Sequence, residues 1–185
     1  GPGLVIGATI AVGSGALAGA EQSGRLGLIL SGPLQRSTVV AAVALAVVAT
    51  ATITSTGLLL GIVTGAATAG ISLSIGNVLA ASALVLLLGV TMGSLAVSVG
   101  ALTGRRGTSA AAAVIAAVAS YCVFSFFPLS TTLEPYAKVS LWHPYAGGRP
   151  LIEGLDVVHV GIFAVLIGVA FAIAIAGFER RDLAT

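Results

Sequence analysis

"STVVAAVALAVVATATITSTGLLLGIVTGAATAGISLSIGNVLAASALVLLLGVTMGSLAVSVGALTG", residues 37–104, holds no Asp, Glu, Lys, Arg or His in 68 consecutive positions. As a single α-helix rising about 1.5 Å per residue it would be roughly three times longer than the ~30 Å hydrocarbon layer of a bilayer is thick, so it must turn back on itself. The turn is expected at residues 64–77, TGAATAGISLSIGN, where Gly, Ser, Thr and Asn gather. Spans at about 38–63 and 77–101 follow.

The rest of the chain has the same character. Hydrophobic residues make up 57% and charged residues 8%, and the mean hydropathy is +1.13; an ordinary soluble domain carries about 25% charged residues. So few polar groups cannot cover a water-exposed surface, and a lipid bilayer is the expected surrounding. A β-barrel would show segments of about ten residues alternating in polarity, whereas these runs are continuously apolar. The fold class is therefore an all-α polytopic membrane protein. Two more spans are expected at 108–128, closed by Pro128, and at 157–178, and the opening residues 1–20 supply a fifth.

Charge parity tests that count. With two spans inside the long run, Arg25, Arg36, Arg105, Arg106, Arg180 and Arg181 fall on one side of the membrane, and Lys138 and Arg149 on the other. The positive-inside rule makes the arginine side cytoplasmic. Residues 21–36 then form a cytoplasmic connector and residues 130–156 an extracellular segment, all within a single transmembrane domain, 1–185. The small-residue pattern ALAGA before Glu21 has the spacing of a signal-peptidase site, but no basic region precedes it and cleavage would leave Arg25 and Arg36 outside. The start Gly1-Pro2-Gly3, without an initiator Met, reads as part of a longer protein.

Small residues recur at four-residue spacing: Gly57, Gly61 and Gly65; Gly89 and Gly93; Gly15 and Gly19. Each set lies on one helix face and permits close backbone approach, so a tightly packed bundle is expected.

Several chemistries are excluded. A net charge of +2 with no single basic patch gives no footing for a nucleic-acid partner. Cys122 is alone in an apolar run and reads as a small hydrophobe. His143 and His159 read as isolated, with Trp142 and Tyr145 as interfacial anchors, and no metal site is expected. The centres of the spans carry no ionisable side chain, which disfavours transport driven by a buried carboxylate. No G-x-x-x-x-G-K-[ST] motif is present, so ATP hydrolysis would belong to another polypeptide.

The connector is the most informative segment. Glu21 and Arg25 are spaced for an i, i+4 pair, Leu26, Ile29, Leu30 and Leu34 make an apolar stripe, and Pro33 ends a helix near Gly32. A short amphipathic helix on the inner membrane surface fits them. The pattern Glu21, Gly24, Ile29, Leu30, Pro33, Arg36 resembles the cytoplasmic connector of the ABC type-2 transporter permeases, with one residue fewer between Glu and Gly than in many members. The ending AIAGFERRDLAT, with Phe178, Arg180, Arg181, Asp182 and Leu183, is similar to the terminal motif of the same family. The segment LWHPYAGGRPLIEGLD before the last span resembles actinobacterial polyketide-antibiotic and tetronasin-type exporter permeases.

This resemblance implies a half-transporter of six helices, one of them preceding Gly1, which forms a path for hydrophobic or amphipathic substrates together with a second permease half or copy. Separate ABC ATPase subunits, carrying ATP and Mg²⁺, would drive it; this chain itself would need no cofactor and be no enzyme. Glu21, Gly24, Arg25, Leu30, Pro33 and Arg36 would couple to the ATPase, and Arg105 with Arg106 would form a second cytoplasmic contact. A bacterial plasma (inner) membrane and drug or antibiotic efflux are the implied setting. The alternatives are an ATP-independent carrier or channel, and a non-transporting scaffold.

Overall fold

A computed structural model describes residues 1–22, 36–148 and 150–180. Helix α1 (Pro2–Ser14) starts with Pro2 in its first turn, where a missing N–H costs nothing. It passes through a π-turn (Gly15–Gly19) into a short helix α2 (Ala20–Gln22). Helices α3 (Arg36–Ala69), α4 (Ile75–Thr103) and α5 (Arg106–Phe126) follow, and a 3₁₀ turn (Phe127–Leu129) at Pro128 ends α5. A 3₁₀ turn (Glu134–Val139) and the short helices α6 (His143–Ala146) and α7 (Pro150–Glu153) lead to α8 (Val157–Arg180). No strand occurs among the described residues.

Among the described residues, four helices are long and apolar enough to cross a membrane: Ser37–Ala69, Ile75–Thr103, Arg106–Leu129 and Val157–Arg180. The opening stretch, expected as a fifth span, is divided between α1, the π-turn and α2. The expected turn at 64–77 is also shorter than residue types indicate, because α3 continues to Ala69. Thr64 and Thr68 donate their hydroxyls to the Leu60 and Gly65 carbonyls of the preceding turn, which hides their polarity inside the helix. The stop is Gly70, at φ 68°, where the Gly70 and Ile71 amides close on the carbonyls of Ala67 and Ala66. That paired closure across a left-handed glycine is the Schellman ending.

Helix α4 is the centre of the bundle. Of its most apolar 18-residue window 72% is buried, against 11–22% for the other three long helices. One core layer joins Val5, Val47, Val97, Ala174 and Phe178; the other joins Ile6, Leu88, Met92, Ala113 and Phe163. The two layers lie on different flanks of α4, each drawing residues from it, and α1 contributes to both. Glycines set the closeness: a β-carbon on Gly93 would lie 2.5 Å from Val47 Cγ1 and 3.2 Å from the Thr9 carbonyl oxygen, and one on Gly13 would lie 2.5 Å from the Gly93 carbonyl oxygen. The expected Gly89 and Gly93 face is thus the seat of α1 and α3.

Contacts give the helix directions. Val5 meets Gly89 while Ala18 meets Gly100, so α1 runs parallel to α4. Ser98 lies 2.6 Å from the Ala170 carbonyl and Leu102 packs at Gly177, so α8 is parallel to it as well. Gly104, at φ 64°, turns α4 sharply into α5, and Ser109 reaches back to the Ala96 carbonyl. Consequently Glu21, the start of α3 at Arg36, Arg105, Arg106 and Arg180 all lie at one end of the bundle, and the described residues between 130 and 156 lie at the other.

Candidate functional site: the arginine end and the capped end

At the arginine end, α1 gives way to the π-turn at Gly15, two residues after Gly13 wedges against α4. A π-turn closes its hydrogen bonds over five residues instead of four, and such insertions are frequent at functional positions. Arg106 lies along it: β-carbons on Gly15 and Gly19 would sit 3.7 Å from the guanidinium carbon and 3.5 Å from Cδ of Arg106. The Gly15 and Gly19 pair, expected to seat a helix, therefore seats an arginine. Glu21 follows directly in α2 and is half-buried. The structure thus brings Arg106 to the threshold of the connector, joining two groups of residues that are 85 positions apart in the chain.

Of the other residues singled out in the sequence, Gly24, Arg25, Leu30 and Pro33 lie outside the described residues, as do Arg181 and Asp182. Arg36 opens α3, and only its backbone is described. Arg105 is exposed in the turn after Gly104. In the terminal motif Phe178 is fully buried beside Val40, Val43 and Ala101 in the core, whereas Arg180 is exposed. Phe178 therefore anchors the end of α8, and Arg180 is left at the surface.

At the opposite end the described residues between 130 and 156 form a packed cap. The Ser120 and Ser140 hydroxyls lie 3.0 Å apart, the Leu141 amide donates to Ser120, and the Trp142 indole N–H donates to the Ala117 carbonyl, tying the cap to α5. Asn77, at the start of α4, donates to the Leu151 carbonyl. Tyr121, Trp142 and Tyr145 stack edge to face, with ring centres 5.0 and 6.0 Å apart. Trp142, expected as an interfacial ring, is thus an anchor that ties the cap to α5.

The two histidines are not isolated. His143 of α6 and His159 of α8 lie with ring centres 5.9 Å apart, and His159 Nδ1 is 3.6 Å from an Asp156 carboxylate oxygen. Their separation of 16 positions conceals this, because the cap folds back over the start of α8. Burial pushes the His143 imidazole below its usual value, with help from His159 and Lys138; a charged form there would be poorly solvated and repelled. Among the described residues no three of His, Cys, Asp and Glu come together in a metal-binding arrangement.

Between the cap, α3 and α4 lies an apolar cavity of about 510 Å³, lined by Leu58, Ile62, Ser82, Val85, Tyr145 and Leu151 among others. Burial pushes the Tyr145 phenol above its usual value, so it remains a neutral hydrogen-bonding group. Sequence reading did not single out Ser82; one serine in an apolar helix carries no signal of its own, since most such hydroxyls bond to their own helix.

The fold is that of a multi-pass, all-α membrane protein with Arg105, Arg106 and Arg180 at one end and a packed cap at the other. No protein-family profile, curated protein sequence or solved structure matches the chain.

Proposed function

We propose that the chain is the membrane-spanning permease of an ATP-driven ABC exporter, which moves hydrophobic or amphipathic molecules such as drugs and antibiotics out of a bacterial cell. A separate ABC ATPase, carrying its own ATP and Mg²⁺, docks at the arginine end, and a second permease half or copy completes the path. The chain itself hydrolyses nothing.

One observation supports this reading most: Arg106 packs on the π-turn that leads into the connector. Movement of residues 21–36 would act on α1 directly and on the α4–α5 turn through Arg106. Helix α4 contacts α1, α3, α5 and α8, so a displacement there reaches the whole bundle. A switch of this kind requires only that the connector contact two ATPase states unequally. The connector and terminal patterns, from Glu21 to Arg36 and from Phe178 to Asp182, support the same family. Charge-free span centres speak against coupling to a proton or ion gradient.

The test is purification of the full-length protein from its native membrane in mild detergent. A stoichiometric P-loop ATPase subunit is expected, and Glu21→Ala and Arg36→Ala should weaken its association or uncouple its hydrolysis from transport. Transport that persists with no such subunit and is indifferent to both substitutions would replace this reading with an ATP-independent carrier.

A further inference from the structure

The capped-end cavity is not closed off from the rest of the bundle. A second cavity of about 570 Å³ shares Gly1, Leu58 and Ile62 with it and continues along α1 and α3, over Leu4, Ala8, Thr54, Gly57 and Gly61. Gly57 and Gly61 meet nothing within 4 Å, so the expected small-residue face of α3 makes the floor of a trough and not a helix seat. Together the two cavities form an elongated apolar channel from the level of Ala8 and Thr54 to the cap. Each has the volume of a small-molecule site.

Two features specify what fits. No acidic or basic side chain lines either cavity, and bringing an unpaired charge into such surroundings is strongly unfavourable. The occupant is therefore neutral. In addition, the Ser82 hydroxyl is buried without a hydrogen-bond partner, although Ser82 is only 7% exposed. Other hydroxyls of α3 and α4 behave differently: Thr50, Thr54, Thr91 and Ser98 all give theirs to a carbonyl of the preceding turn; Ser55 is also buried without a partner but lines neither cavity. Buried polar groups are ordinarily satisfied, so an orphan hydroxyl lining a cavity marks a place for a ligand atom. Tyr145 supplies a second hydroxyl on the same cavity.

We infer that this trough binds an elongated, neutral amphipath, its apolar chain along α1 and α3 and its polar group at Ser82 and Tyr145 beneath the cap. The inference gives the substrate class for the export reading and rests on that reading for its purpose, but binding is measured without ATP or an ATPase. Failure to bind leaves the coupling proposal standing, and loss of the ATPase partner leaves the site standing.

The experiment uses the full-length protein in phosphatidylcholine nanodiscs and a long-chain alcohol carrying a diazirine, with crosslinks mapped by mass spectrometry. Saturable labelling should concentrate on residues 54–62 and 145–151 and be competed by the unlabelled alcohol. Ser82→Ala should weaken half-saturation roughly 3- to 10-fold, as expected for the loss of one hydrogen bond. Ile62→Trp, which fills the trough from its partly exposed side without touching Ser82, should abolish saturable labelling even if Ser82→Ala folds poorly. The matching carboxylic acid probe should label at least 10-fold less at neutral pH. Non-saturable labelling spread over lipid-facing positions such as Leu45, Ile115 and Val165 would overturn the site. Saturable labelling unmoved by both substitutions would do the same, and equal labelling by the acid would overturn its neutrality.

Discussion

Glycine carries two different meanings in this chain. At Gly93 and Gly13 the missing β-carbon lets helices touch, since an added carbon would lie 2.5 Å from an atom of a neighbouring helix. Gly93→Val should therefore destabilise the protein by about 1–3 kcal/mol, through overpacking that three helices cannot relieve together. At Gly65 nothing lies within 4 Å, and Gly65→Ala should stay within about 0.5 kcal/mol of the parent. Unfolding in mixed detergent micelles measures both, and equal effects would remove the distinction. Histidine gives a pH prediction. His143 has its affinity for protons lowered by burial, by His159 and by Lys138, so the unfolded chain binds a proton more readily than the folded one. The stability this confers is present above the ordinary value of about 6.5 and is lost as pH falls below it through the lowered folded value. Melting between pH 7.5 and 5 should show a decline in the parent that is smaller in His143→Gln.

Hydroxyls act at the scale of helices. Ser98 and Ser109 each reach a carbonyl on a neighbouring helix, Ala170 of α8 and Ala96 of α4, where no water competes. Ser98→Ala and Ser109→Ala should each cost about 0.6–1.7 kcal/mol, the range measured for such bonds inside membranes. Steric trapping or detergent unfolding would show it, and no change in either would mean that α8 and α5 are held by apolar packing alone. Helix α3 shows the limit of residue-type reasoning, because its 34 residues rise about 51 Å, well beyond the ~30 Å hydrocarbon layer. By residue type Thr64 and Thr68 belong to a turn. In an alanine-rich helix their hydroxyls fold back on the carbonyls behind them, and the turn waits for Gly70.

For the molecule as a whole, helix directions make a topological prediction. In a Cys122→Ser background, cysteines at Ser72 and Lys138 should react with a membrane-impermeant maleimide from one side, and a cysteine at Arg105 only from the other. The positive-inside rule puts Arg105 on the cytoplasmic side. Reaction of Ser72→Cys and Arg105→Cys from the same side would mean that α4 does not cross the membrane.

The sequence alone determined the all-α class and the apolar, membrane-crossing character of the long helices, because these depend on local hydrophobicity, which adds along the chain. The close approach of Gly89 and Gly93 to another helix was legible as spacing, but spacing did not name the partner. Only the tertiary structure decided that α4 is the central helix, that Gly57 and Gly61 floor a trough while Gly93 seats α1 and α3, and that Arg106 lies on the π-turn before the connector. It alone brought His143 to His159 and left Ser82 without a partner. These are pairings between residues far apart in the chain, set by which helices pack together, and a glycine or a serine looks the same in sequence whether its neighbour is a helix, a cavity or lipid.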